Sequence, residues 1–432
     1  MKSTFAALLL LFAAVPQGTE RPHLDMALQA ARWLESTTVR TPKGSAWPAD
    51  PREPKTVRLN LYSGTPGVVL FFLEAYHATG NRSFLDRARS GADYLVASLA
   101  EEKGTGLYEG IAGIGFTLAE TFKATSEKKY EQAARRCVDW LRTRAVKKGR
   151  GIEWSDVTDI ISGSAGTGLF LLYAARELKD PQALELAIQA GRRLVQLGLP
   201  ESGGLKWAMS PTNPSLMPNF AHGTAGIAYF LATVHQETKD QEFLQAALAG
   251  AKYLQAIAVT EGDTCLIFHD EPGGRHLYYL GWCHGPAGTG RLFYRLHQIT
   301  GDAQWLAWFK RSARSLVESG IPEKETPGFW NNVSQCCGTA GVAEYCLEAY
   351  RLTQESRYLD FVRKLTADLQ SRATRDETGA RWIQAEYRLR PEFLVAQTGL
   401  MQGSAGIGMW LLHLDYFEQG KRPGIALPDS PF

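Results

Sequence analysis

Ala221-His222-Gly223-Thr224-Ala225-Gly226, running directly into Ile227-Ala228-Tyr229-Phe230-Leu231-Ala232-Thr233-Val234, is the stretch on which the fold turns. Two glycines spaced by two residues open a segment that is apolar on nearly every face and long enough for a helix. Such a helix is buried on most of its sides. The phrase occurs seven times, with first glycines at Gly64, Gly110, Gly163, Gly223, Gly285, Gly338 and Gly403. The separations are 46, 53, 60, 62, 53 and 65 residues, the period of a two-helix repeat with loops of varied length.

After each buried segment comes a turn, as at Gly80-Asn81, Lys179-Asp180, Lys239-Asp240, Gly301-Asp302 and Glu355-Ser356, with residues suited to cap a following helix. The second helix is amphipathic. Phe84, Leu85, Ala88, Ala92, Leu95, Val96 and Leu99 form one apolar stripe, and Leu24 to Trp33 supply a further copy ahead of the first phrase. Neither end of the array is a polar cap, so an open solenoid would expose apolar faces. The expectation is an all-α protein, an α/α toroid (barrel) of seven inner and seven outer helices forming one domain over residues 19–432. The glycine phrases then share one rim, where glycine is expected to let the backbone bend with positive φ and to let the inner helix starts crowd together near the axis.

Glycine is enriched, 42 of 432 residues, whereas composition is otherwise that of a globular chain: 44% hydrophobic and 21% charged. At about 150 residues per domain the length alone would suggest roughly three domains, and the repeat replaces them by one. Lys and Arg number 47 against 45 Asp and Glu, with the signs interspersed. No basic field exists for nucleic acid or an anionic membrane, no apolar run reaches the length of a membrane span, and ring closure gives no reason to require more than a monomer. Phe5 to Val15 is an uninterrupted apolar stretch after Lys2, followed by Pro16-Gln17-Gly18. It reads as a secretory signal peptide over residues 1–18 and predicts an exported, periplasmic or extracellular protein.

The residues just before the first glycines differ: Ser63, Glu109, Ser162, His222, His284, Cys337 and Gln402. On one rim they face a common space, and the late repeats bring Cys283, Cys336 and Cys337 to matched places. Three soft thiolates suit Zn²⁺ and leave a fourth position open, as in catalytic zinc sites. A disulfide or inert burial are the other readings of these three cysteines. Cys137, Cys265 and Cys346 have no such placement and read as core residues, with a disulfide at Cys137 or Cys265 as the other reading.

These phrases, with Trp282-Cys283-His284-Gly285 and Cys336-Cys337-Gly338, make the chain from Leu24 to Leu412 resemble the lanthionine synthetase C-like family. The resemblance implies the same toroid and a zinc ion that activates a peptide cysteine thiol for addition to a dehydroamino acid, closing a thioether. It places the zinc ligands at Cys283, Cys336 and Cys337, the last standing where the family usually has histidine. It places proton-handling roles at His222 and Asp159. Two positions depart from the cyclase pattern: Tyr279 replaces an arginine four residues before the first zinc cysteine, with Arg275 the nearest arginine upstream, and His284 replaces the tyrosine after it. His284 is a further candidate as proton donor to the enolate.

The reading that follows is a zinc-dependent C–S bond-forming enzyme acting on a peptide or small-molecule thiol. The alternatives are an exported, non-catalytic zinc- and peptide-binding toroid and, by fold analogy, a carbohydrate-active enzyme using Glu109 and Asp159.

Overall fold

A computed structural model describes residues 20–213 and 216–432. The expected signal peptide, residues 1–18, lies outside the described residues. Seven helices follow the glycine phrases: α2 (Thr65–Thr79), α4 (Ile111–Thr125), α6 (Ser164–Glu177), α8 (Thr224–Thr238), α10 (Pro286–Thr300), α12 (Thr339–Thr353) and α14 (Ser404–Glu418). Alternating with them are α1 (Pro22–Ser36), α3 (Arg82–Ser98), α5 (Lys128–Arg144), α7 (Pro181–Leu197), α9 (Gln241–Ile257), α11 (Ala303–Val317) and α13 (Ser356–Ser371). In α2 every residue from Thr65 to Ala75 is buried, whereas α3 buries one stripe around Leu85, Ala88, Ala92 and Leu95. Each even-numbered helix packs on the next even-numbered one, and α14 packs on both α2 and α1. The inner set therefore closes on itself, and the α/α toroid of seven inner and seven outer helices is the observed fold.

The outer helices begin on the expected caps. Asn81, Asp180, Asp240 and Asp302 each accept a hydrogen bond from a backbone N–H of the first turn. At α13 the N-cap is Glu355 rather than Ser356, and its side chain makes no capping bond.

Positive φ is not what the phrases need. Their first glycines are extended, with φ of −108° at Gly64, −102° at Gly163 and −122° at Gly285. The requirement is space. A Cβ on the second glycine of each phrase would meet the carbonyl oxygen six residues upstream: 1.9 Å from Ile160 at Gly166, 1.8 Å from Trp282 at Gly288 and 1.7 Å from Leu400 at Gly406. The loop preceding each inner helix folds flat onto the helix start, and only glycine lets it lie there.

Those loops are joined in a circle. Tyr62 N donates to Tyr108 O, Tyr108 N to Ile161 O, Ile160 N to Ala221 O, Ala221 N to Cys283 O, Cys283 N to Cys336 O, Cys336 N to Met401 O, and Met401 N back to Tyr62 O. All seven repeats are linked, at 2.8–3.2 Å, through residues two or three before the first glycine.

The sequence reading also missed a set of short hairpins. Two-stranded antiparallel pairs such as Val39–Thr41 with Gly44–Ala46 and Leu199–Glu201 with Gly204–Lys206 follow outer helices. Gly44 and Gly204 press on the backbone of the next outer helix, at Ser90 and Ala249. A tryptophan beyond the hairpin then returns its indole N–H to a leucine carbonyl thirteen residues back: Trp47 to Leu34, Trp154 to Leu141, Trp207 to Leu194 and Trp382 to Leu369, at 2.7–2.9 Å. The hairpins thus latch consecutive outer helices together.

Crowding and conformation separate in a pair of variants. Gly166→Ala is expected to cost about 3 kcal/mol or more, because backbone must move. Gly301→Ala, at φ +69° with open space around it, should cost only about 1 kcal/mol of left-handed strain. Thermal or urea denaturation of both against the parent checks the order.

Candidate metal centre

Cys283 and Cys336 occupy the same register on neighbouring loops, and the bond from Cys283 N to Cys336 O ties those loops edge to edge. Cys337 follows in the next position, immediately before Gly338 and α12. The result brings three thiols together: Cys283 Sγ lies 3.4 Å from Cys337 Sγ, and Cys337 Sγ 3.3 Å from Cys336 Sγ. Their ligating atoms all fall within 4.8 Å of one another, and all three residues are buried. A disulfide would hold two sulfurs about 2.05 Å apart, so the thiols are free, as are Cys137, Cys265 and Cys346.

The donor set fits zinc. Sulfurs at about 2.3 Å from a tetrahedral zinc are separated by about 3.8 Å, a few tenths of an ångström beyond the observed spacing. Gln402 Nε2 lies 3.6 Å from Cys337 Sγ and 2.9 Å from the Tyr62 hydroxyl, while its Oε1 accepts from Asn332 and Ser334. The amide is locked with its N–H aimed at the sulfur. Protons are shared unequally in the cluster. Hydrogen bonds from Cys283 and Cys336 drive Cys337 well below the ordinary thiol value against the effect of burial, and the Gln402 amide adds to them. Cys283 is driven well above it by its bonds to Cys336 and Cys337 and by burial.

Beside the thiols stands a second pair. His222 Nδ1 lies 2.6 Å from Asp159 Oδ2, and Asp159 Oδ1 accepts from the backbone N–H of Ser162 and of Gly163 at 2.8 Å each. Asp159 is fully buried, its carboxylate held on both oxygens. Burial opposes charge on His222, but the hydrogen bond and charge of Asp159, with Glu109 and Cys337 behind, hold its pKa above the ordinary histidine value. His284 behaves oppositely. Burial, with repulsion from His222 and His269, pushes its pKa well below the usual value, and its Nδ1 is buried without a hydrogen-bond partner among the described residues. The rings of His222 and His284 stack at 5.5 Å, and His269 continues the ladder at 4.4 Å from His284. One rim therefore carries two imidazoles whose pKa values are pushed in opposite directions.

Tyr279 packs edge-on against His284 and Trp330. Its hydroxyl receives a hydrogen bond from Arg388 Nε at 3.2 Å. Arg275 is turned away and pairs with Glu271. The guanidinium nearest this position comes instead from the loop after Gln384–Ala385, more than a hundred residues along the chain. Sequence reading could not find Arg388, which lies outside the repeat, whereas Tyr62 shares the register of Cys283 and Cys336 and was open to the same reasoning.

The sequence profile described as lanthionine synthetase C-like protein matches residues 55–427. The chain belongs to that family. Among solved structures, nisin cyclase is similar with TM-score 0.63 at 18% identity, over 90% of this chain and 92% of its own. A protein from Listeria innocua is similar with TM-score 0.52 at 14% identity, over 93% and 99%. An α-1,6-mannanase from Salegentibacter sp. HEL1_6 follows with TM-score 0.50 at 16% identity, over 90% and 98%. At such identities these likenesses show the shared toroid. Among the described residues no helix of this lanthionine synthetase C-like protein is long and apolar enough to cross a membrane.

The raised pKa of His222 carries a sign. The folded state holds this proton more tightly than the unfolded chain, so the His222–Asp159 pair contributes stability that is complete below about 6.5 and is lost as pH rises through the higher folded value. Asp159→Asn keeps an oxygen for Ser162 and Gly163 but removes the charge. The stability gap between parent and variant is expected to narrow from pH ~5.5 to ~9 in urea melts, and a gap independent of pH would contradict the assignment.

Proposed function

We propose that this protein is a zinc-dependent enzyme that adds a peptide cysteine or small-molecule thiol to a dehydroamino acid, forming a thioether. The observation that carries the reading is the convergence of three free, buried thiols beside a hydrogen-bonded His222–Asp159 pair on the rim of a lanthionine synthetase C-like toroid. Cys283, Cys336 and Cys337 are the residues that hold the ion, and three ligands leave one position for substrate. When bound, zinc supplies the Lewis acidity that lets a substrate thiol ionise near neutral pH.

The chain's own residues then divide the proton work. Addition of a thiolate to the β-carbon forms the C–S bond and places charge on an enolate, whose α-carbon takes up a proton. His222, with its pKa raised, is the proton donor, and Asp159 holds the ring by its Nδ1 and stabilises the imidazolium. His284, neutral and buried, narrows the space beside it. Arg388, bonded to Tyr279, supplies a positive charge near the place where cyclases carry their arginine and is suited to hold a substrate carbonyl or carboxylate.

Against a glycosidase reading, Asp159 is fully buried with both oxygens committed, while Glu109 is exposed and, among the described residues, accepts only from Ser162 Oγ at 3.1 Å. Asp159 therefore does not stand free to act as the partner of Glu109 across a sugar. The apolar stretch Phe5 to Val15 supports export of the protein by a signal peptide over residues 1–18.

Elemental analysis with a free-thiol count tests the metal. About one zinc per chain is expected, retained in Cys137→Ala and lost in Cys283→Ala. Metal well below one per chain, with Cys336 and Cys337 disulfide-linked, would overturn the proposal. With a dehydroalanine peptide and an added thiol, His222→Asn is expected to lower the addition rate by about 10²-fold with zinc content unchanged; full activity would remove His222 from its role.

A further inference from the structure

Behind the cysteine loops lies a separate cavity of about 410 Å³, inside the ring on the side away from the thiols. Trp282, Gln335 and Met401, each immediately preceding a cysteine or glutamine of the rim, form its roof. Its walls are inner helices: Arg291 of α10, Glu344, Leu347, Glu348 and Arg351 of α12, and Met409 and His413 of α14. At a rise of 1.5 Å per residue, these positions descend from the glycine rim toward the opposite face. Residues 422–432 fold back across that face. Gly424 N donates to Glu74 Oε1 at 2.8 Å, Gln298 donates to Pro431 O at 2.9 Å, and Phe432 stacks on Tyr294. Arg422 lines the cavity with its side chain 71% exposed, which marks the mouth.

The charges in this space do not cancel. His413 Nδ1 pairs with Glu344 at 2.8 Å, and Arg351 with Glu348 at 2.6 Å. Arg291 is left over. It is only 6% exposed, yet makes no hydrogen bond or ion pair with any described residue, and its Nε is enclosed without a partner. Its guanidinium lies over the face of Phe432, 5.7 Å from the ring centroid. Asp429 feels its charge from beyond ion-pair distance, and both of that carboxyl's oxygens take the Tyr108 hydroxyl, at 3.1 and 3.2 Å. His413 Nε2 is a second enclosed nitrogen without a partner on the same wall. A buried guanidinium with its donors unused carries a large desolvation cost, which an anion held in its fork offsets. Most of the remaining surface is apolar, from Leu347, Leu400, Met401, Met409, Ile425 and Leu427.

We propose that this axial cavity is a second binding site, specific for a small monocarboxylic acid with an apolar body, whose carboxylate is held by Arg291 and whose hydrocarbon part lies among Leu347, Met401 and Met409. The volume falls within the ~300–1,000 Å³ of small-molecule sites. One unpaired cation selects a single negative charge, and the planar fork favours carboxylate geometry. The site is independent of the thiol chemistry on the other side of Trp282 and stands whether or not that chemistry is thioether formation.

Octanoate, with 1-octanol as the uncharged control, titrated calorimetrically into the full chain tests it. Saturable one-site binding of octanoate is expected, tighter than octanol by about tenfold or more. Arg291→Met should reduce octanoate to the level of octanol. Met409→Trp, which fills the apolar part without touching the guanidinium, should abolish binding of both, and it decides the matter if Arg291→Met does not fold. Cys283→Ala should change neither. The proposal is overturned if octanoate does not saturate, if octanol binds as tightly, if a folded Arg291→Met or Met409→Trp retains parental affinity, or if Cys283→Ala removes binding.

Discussion

Seven peptide hydrogen bonds, running from loop to loop and returning from Met401 to Tyr62, are the constraint on which the rest of the molecule depends. A helical array joined only by side-chain packing could slide or open. A closed circle of backbone bonds sets the register of every repeat against its neighbours. The cost of closure is steric, since each loop lies on the start of its own helix with its carbonyl where a Cβ would be. Glycine at seven matched places makes the circle possible, and the circle makes those places equivalent.

The site is a by-product of that equivalence. Residues at matched positions in adjacent repeats stand side by side, so Cys283 and Cys336 meet although 53 residues separate them. His222 and His284 stack for the same reason. What distinguishes them is their surroundings: His222 has a buried carboxylate on its Nδ1, and His284 has no partner there and two histidines as neighbours. Two imidazoles one ring apart thereby hold opposite protonation preferences. A locked amide at Gln402 and the hydroxyl of Tyr62 complete the polar surroundings of the thiols. Buried sulfur atoms without such donors, as at Cys137 and Cys346, only have their pKa raised by burial.

The same closure leaves an axial space with two unlike ends. Toward the glycine rim the loop residues Trp282, Gln335 and Met401 bound it. Toward the other face they present longer side chains, and residues 422–432 cover what they leave. Outside the ring, the hairpins that follow α1, α5, α7, α9 and α13 each fasten on the next outer helix, four of them with a tryptophan latch. The inner layer is therefore closed by peptide bonding, whereas latching strands fasten five of the seven outer steps among the described residues and leave α3 to α5 and α11 to α13 without one.

The toroid and most of the metal centre were legible in the sequence because both are periodic. Glycine phrases at a recurring spacing state the number of repeats. The alternation of all-round apolar and one-sided helices states which layer is inner, and cysteines at matched offsets state that they meet. The reason for glycine was legible only in part: crowding at the helix starts was expected, but so was positive φ, because extended and left-handed glycines look alike in one dimension and only the position of the upstream carbonyl tells them apart. The hairpins escaped because strands of three residues are too short to show an alternating pattern. Arg388 and the unpaired Arg291 belong to the tertiary structure alone. The first reaches Tyr279 from a loop outside the repeat, and the second is one of many arginines until folding encloses it without a direct ion pair to any described residue. Periodic order is written locally in the chain, but a contact between non-equivalent positions, or the absence of one, exists only once the ring has closed.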